Sequence, residues 1–117
     1  MDFNARVWID VITLHRDKGL YALGILDDST GELALETMSD SKATSVVNAI
    51  NDRWVSLRGL PTALVFDRGR EFCNPLFTDW CNANGIIMDP TPAYSSDSHG
   101  RIERVFLNVR YALDRMN

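Results

Sequence analysis

The sequence predicts an α/β fold: a mixed five-stranded sheet, three strands antiparallel and two parallel, flanked by helices. Three observations predict it. Three short apolar runs near the start are separated by tight-turn signals, the mark of an antiparallel meander. Two later apolar runs each follow a helical pattern, which implies right-handed parallel crossovers. The last stretch carries a single apolar stripe at helical spacing.

The elements follow in order. Arg6 to Ile12 is apolar on both alternating faces except at Asp10, the pattern of a central strand covered on both sides. Lys18-Gly19 reads as a hairpin turn, and Leu20 to Leu26 as the second strand. Asp28-Ser29-Thr30-Gly31 is a turn, and Glu32 to Thr37 a short third strand. Ser39, Asp40 or Ser41 can cap a helix in which Ala43, Val46, Val47, Ile50, Trp54 and Leu57 recur at helical spacing. Gly59 and Pro61 stop it. Thr62 to Phe66 is a fourth strand ending at Asp67. Pro75 to Asn84 is a helix closed by Gly85, and Ile86 to Met88 a fifth strand. Pro90 to Ser98 is a loop. From about Gly100 to Asn117 the stripe Ile102, Val105, Phe106, Val109, Ala112, Leu113, Met116 makes the last helix.

A chain of 117 residues supports one compact domain. No apolar run approaches the length that spans a bilayer, and the first residues lack the pattern of a secretory signal. Cys73 and Cys81 are too few for a disulfide framework and lack zinc-site spacing, so they read as reduced thiols in an intracellular protein. The net charge of −4 argues by itself against nucleic-acid binding. The distribution softens this: Arg68, Arg70, Arg101, Arg104 and Arg110 lie near two candidate acids, and bound metal would neutralise clustered carboxylates.

Three acids stand in awkward places. Asp10 interrupts an apolar strand, where an unpaired carboxylate costs several kcal/mol. Taken alone, it reads equally as a strand-edge acid facing water. Asp67 ends a strand, the position at which open α/β sheets place their sites, although a turn-initiating Asp is common there. Glu103 borders the apolar stripe of the last helix with Arg110 on the same side two turns later; alone it reads as a surface Glu near a helix N-terminus. Together they carry more. Neighbouring first and fourth strands bring Asp10 and Asp67 close, and a helix packed beside them can deliver Glu103. Converging carboxylates repel, and Mg²⁺ or Mn²⁺ resolves the conflict. Two such ions about 3.5–4 Å apart stabilise the attacking and leaving oxygens of a phosphoryl displacement.

The constellation resembles the retroviral and retrotransposon integrase core. Trp8-Ile9-Asp10 is similar to that family's first-strand aspartate, and Asp67-Arg68-Gly69-Arg70-Glu71-Phe72 to its Asp-x-Gly-x-x-Phe signature. Pro92-Ala93-Tyr94-Ser95 followed by His99-Gly100-Arg101-Ile102-Glu103-Arg104 resembles its loop and Glu-bearing helix. Residues 68 to 102, thirty-five in all, separate Asp67 from Glu103, as in the family's spacing, and Asn84-Gly85-Ile86 also falls in a familiar place. The resemblance implies an RNase H-like fold and a polynucleotidyl transferase with endonuclease activity, which processes 3′ ends of mobile-element DNA and joins them to target DNA. It implies catalytic and metal-binding roles for Asp10, Asp67 and Glu103, with two Mg²⁺ or Mn²⁺ ions, Asp10 shared between them. It also implies DNA contact by Tyr94, His99, Arg101, Arg104 and Arg110. A homo-oligomer is expected, with no membrane partner, and a nuclear location if the element is eukaryotic.

Departures and alternatives accompany this reading. The loop reads Tyr94-Ser95-Ser96-Asp97-Ser98-His99, where much of the retroviral branch has Pro-x-x-Pro and Gln residues. Residues 1–117 are expected to be a core without the family's C-terminal helices, zinc domain and basic DNA-binding domain. His99 is read equally as a polar lid over the helix N-terminus, and Tyr94 also as a loop-packing residue. Glu71 is either a spare metal ligand or, as expected here, a first-turn helix residue. The alternatives are an insertion-sequence transposase core of the same superfamily and a domesticated, non-catalytic interaction domain. An RNase H-type nuclease would need a further acid facing the site from the first helix, which offers only Asp52, near its far end.

Overall fold

The structure, a computed structural model, describes residues 2–90 and 97–116, with the backbone alone at 97–99 and 116. Strand β1 spans Arg6–His15, β2 Leu20–Asp27 and β3 Leu33–Met38, paired antiparallel in turn. Strand β4, Ala63–Phe66, lies parallel to β1, and β5, Ile87–Pro90, lies parallel to β4. The resulting order β3-β2-β1-β4-β5 is the mixed sheet expected. β1 continues three residues past the expected Ile12, because β2 pairs with it along almost its whole length.

Helix α1, Ala43–Ile50, runs through a π turn at Asn51–Val55 into α2, Ser56–Arg58. The expected cap is corrected: the N-cap position is Lys42, which makes no side-chain cap bond. Asp40 instead accepts from Lys42 N at 2.9 Å and from Ser45 Oγ at 2.6 Å, ordering the approach to the helix. The π turn was not expected from the pattern. It carries Trp54, fully buried, whose indole N–H donates to Asn4 Oδ1 at 2.7 Å. Asn4 sits at φ 66°, a left-handed conformation Asn tolerates, and its amide donates to the carbonyls of Arg58 and Gly59 that the helix end leaves free. Helix α3, Pro75–Ala83, is capped by Asn74, whose side chain accepts from Phe77 N at 2.9 Å, with Pro at its first turn. Helix α4, Asp97–Met116, starts ahead of Gly100. No helix among the described residues is long and apolar enough to cross a membrane.

Strand alternation sends side chains to two faces, and each face has its own core. Val7, Ile9, Leu23, Ile25, Leu64 and Phe66 meet α1, the π turn and α3 in the larger one, around Trp54, Phe72 and Phe77. Trp8, Leu26 and Val65 point the other way and meet Ile102 and Phe106 of α4. The apolar stripe of α4 is therefore fully covered only in its first half. Val109 and Leu113 are half-buried and Ala112 is exposed.

Candidate active site

Strand register decides which acids can meet. Trp8 pairs with Val65 across β1 and β4, and both belong to the core under α4. Two residues further along each parallel strand come Asp10 and Asp67. They are therefore level with one another and on the same face. β4 stops at Phe66 while β1 runs on to His15. Asp67 thus lies just beyond a strand end and is exposed, while Asp10 remains within a strand and is only 19% exposed at its side chain.

Helix α4 supplies the third side of the site. Ile102 and Phe106 pin it to the sheet, and Glu103 and Arg110 line the same edge of the resulting cleft. Phe106 can lie this close because Gly24 on β2 has no side chain: a methyl group there would come 2.7 Å from Phe106 Cε1. Arg101 holds the start of the helix through Asp28 at the end of β2, 2.9 Å away. The cleft has a volume of about 150 Å³ and is lined by Asp10, Asp67, Glu103 and Arg110, with Trp8 and Phe106 among its apolar walls.

The electrostatics centre on Asp10. Arg110 Nη2 donates to Asp10 Oδ2 at 2.7 Å and reaches toward Val11 O at 3.5 Å. Burial nevertheless pushes the Asp10 carboxyl up from its ordinary 3.8 to about 6; Arg110 opposes that rise, and Asp67 and Glu71 add to it. Glu71 was expected in the first turn of a helix. It is corrected to the turn before α3, which begins four residues later. There Gly69 separates its carboxylate from that of Asp67. A methyl group at Gly69 would stand 2.8 Å from Glu71 Oε2 and 3.0 Å from Asp67 Oδ1, while Gly69 N–H donates to Asp67 Oδ1 at 3.0 Å. The Gly of the Asp-x-Gly segment thus lets the two carboxylates approach its backbone closely, and a side chain there would have to turn them aside. Its one-residue separation from Glu71 was the sequence signal for this fourth acid.

The remaining sequence candidates fall elsewhere. Arg104 is exposed on α4. Tyr94, in the loop, lies outside the described residues; His99 is on the first turn of α4, but its side chain lies outside them too. Asp52 lines a separate cleft with Glu36 and Ser45, so no acid from the first helix reaches the site. Cys81 is buried and its thiol is pushed up to about 11, as suits an unreactive core residue.

The integrase core domain family model matches residues 3–96. The chain belongs to the integrase core domain family. Its curated relatives include the Pro-Pol polyprotein of Simian foamy virus type 1, 26% identical over 97 residues. The chain spans 8% of that polyprotein's length, and the match covers 83% of the chain. Among solved structures, the HTLV-2 integrase catalytic core domain in complex with magnesium superposes with a TM-score of 0.71 at 19% identity, covering 97% of this chain and 75% of that one. The BIV integrase core gives a TM-score of 0.74 at 17% identity, covering 92% and 67%. A chain of the simian T-cell lymphotropic virus intasome gives 0.75 at 15% identity, covering 88% and 37%. These likenesses establish the RNase H-like fold of retroviral integrase cores for this member of the family.

The donor set suits a hard divalent cation: Asp10, Asp67 and Glu103 offer only carboxylate oxygens, and all three line one cleft. Among the described residues, however, no three His, Cys, Asp or Glu side chains are gathered closely enough to hold an ion. In this conformation the cation resting on Asp10 is the guanidinium of Arg110.

Proposed function

We propose that the chain is the catalytic core of a DNA integrase that uses divalent metal to process 3′ ends of mobile-element DNA and transfer them to target DNA. The observation that carries this reading is the meeting, in one cleft, of Asp10 from mid-strand, Asp67 from a strand end and Glu103 from a helix. An isolated structural acid needs no such company. A phosphoryl-transfer site does, because charge must be compensated on the attacking and leaving oxygens together. Asp10 and Asp67 would hold one Mg²⁺ or Mn²⁺, and Asp10 and Glu103 a second. Bound there, the ions supply activation of a water or 3′-hydroxyl and stabilisation of the departing oxygen. The protein's own part is to bring the three carboxylates to one cleft from a strand, a strand end and a helix, and to wall it with Trp8, Ile102 and Phe106. No side chain acts as a covalent nucleophile.

The solved relatives include an intasome and dimeric and trimeric core structures, which supports DNA and further copies of the chain as partners. The test is disintegration, the reversal of strand transfer, on a branched DNA in Mn²⁺. The chain is expected to resolve the branch, and Asp67→Asn to reduce the rate at least ~100-fold. A folded wild-type preparation that leaves the substrate intact would sink the enzymatic reading.

A further inference from the structure

Arg110 is two turns along α4 from Glu103 and on the same side of the helix. Its Nη2 lies 2.7 Å from Asp10 Oδ2, within the cleft that Asp67 and Glu103 also line. The pair is half-shielded, with side-chain exposures of 40% for Arg110 and 19% for Asp10. The acids facing it are Asp67 beside Asp10, Glu71 across Gly69 and Glu103 on the helix, so this single guanidinium faces a cluster of carboxylates. Arg101, the other α4 arginine with an ion pair among the described residues, is engaged with Asp28 outside the cleft.

We propose that Arg110 is the built-in counter-cation of the metal-free site, and that a divalent cation must displace its guanidinium from Asp10 before Asp10 can serve as a ligand. This rests on the metal-dependent reading above. The two cations compete for one carboxylate: Asp10 Oδ2 cannot keep a guanidinium at hydrogen-bond distance and also present that face to an ion. The pair holds the buried carboxylate in place and keeps α4 docked while no metal is present. Loading then trades a reversible internal contact for external ligation, and leaves the Arg110 guanidinium free at the mouth of the cleft. The contact therefore sets the metal concentration at which the site assembles.

The test is Mn²⁺ affinity of the chain at pH 7.5 by calorimetry, for wild type, Arg110→Met and Asp10→Asn. Arg110→Met is expected to bind Mn²⁺ about tenfold more tightly than wild type, a change of roughly 1.4 kcal/mol. It should also melt at a lower temperature in chelator, and Asp10→Asn should lose the binding. A purely structural role for Arg110 would lower stability without tightening metal binding. Equal or weaker affinity in Arg110→Met, with wild type binding normally, overturns this proposal alone. Absence of Asp10-dependent binding in every form overturns both it and the metal-dependent reading. A measurement on the wild-type chain covers poor folding of Arg110→Met. The arginine side-chain NMR signal missing in Arg110→Lys should shift on Mg²⁺ saturation in wild type, and a signal that stays in place rejects displacement.

Discussion

Asp10 concentrates the cost of the site at one residue. Burial raises its carboxyl to about 6 from 3.8, so the folded chain binds a proton there more readily than the unfolded chain does. The sign follows. Its contribution to stability is complete below about pH 3.8 and is lost as pH rises through about 6. In chelator, the melting temperature is expected to fall between pH 5 and 7.5 by the equivalent of about 1–1.5 kcal/mol, and Asp10→Asn should flatten that slope. A wild-type melting profile no steeper than that of the variant would show that Arg110 fully compensates the carboxylate. Arg110 itself was expected at DNA. The tertiary structure gives it a partner a hundred residues away in sequence.

At the scale of elements, α4 determines whether a site exists, because Glu103 reaches the cleft only when the helix lies close against β1 and β2. Two small features allow that approach: the bare backbone at Gly24 under Phe106, and the Arg101–Asp28 tether. Gly24→Val should push Phe106 away and destabilise the chain by about 1–3 kcal/mol, since Trp8, Leu26 and Ile102 leave the ring little room to move. The same variant should weaken Mn²⁺ binding although it touches no proposed ligand carboxylate, only the backbone of Asp10 across the sheet. A thermal melt and a metal titration check both effects; unchanged values would mean that the helix adapts without cost. Gly24 had no special standing in the sequence, where it was one residue of an apolar run.

For the whole molecule, the unequal cores on the two sheet faces matter most. Among the described residues, the α1 and α3 side buries seventeen in its cluster, whereas the α4 side buries five. Stability should be distributed accordingly, with α4 opening at lower free energy than the central strands. Hydrogen exchange is expected to be faster for the amides of residues 107–115 than for those of Leu23 and Ile25, and to slow in Mn²⁺ as ligation ties Glu103 to the sheet. Uniform protection across α4 and β2 would contradict this division. A site spanning the strong core and the weak one can assemble when its ligand arrives without unfolding the rest of the chain.

The pattern of residues alone determined the element order, the mixed sheet and the three acids, because period-2 and period-3.6 apolar spacing is local and Asp10 violated it visibly. Element ends shifted by a few residues where pairing partners or caps, rather than local preference, set them. Only the tertiary structure decided the partner of Arg110, the place of Glu71 and the close approach at Gly24. Each depends on which side chains long-range packing brings into contact, and sequence spacing carries no record of contacts made across the sheet.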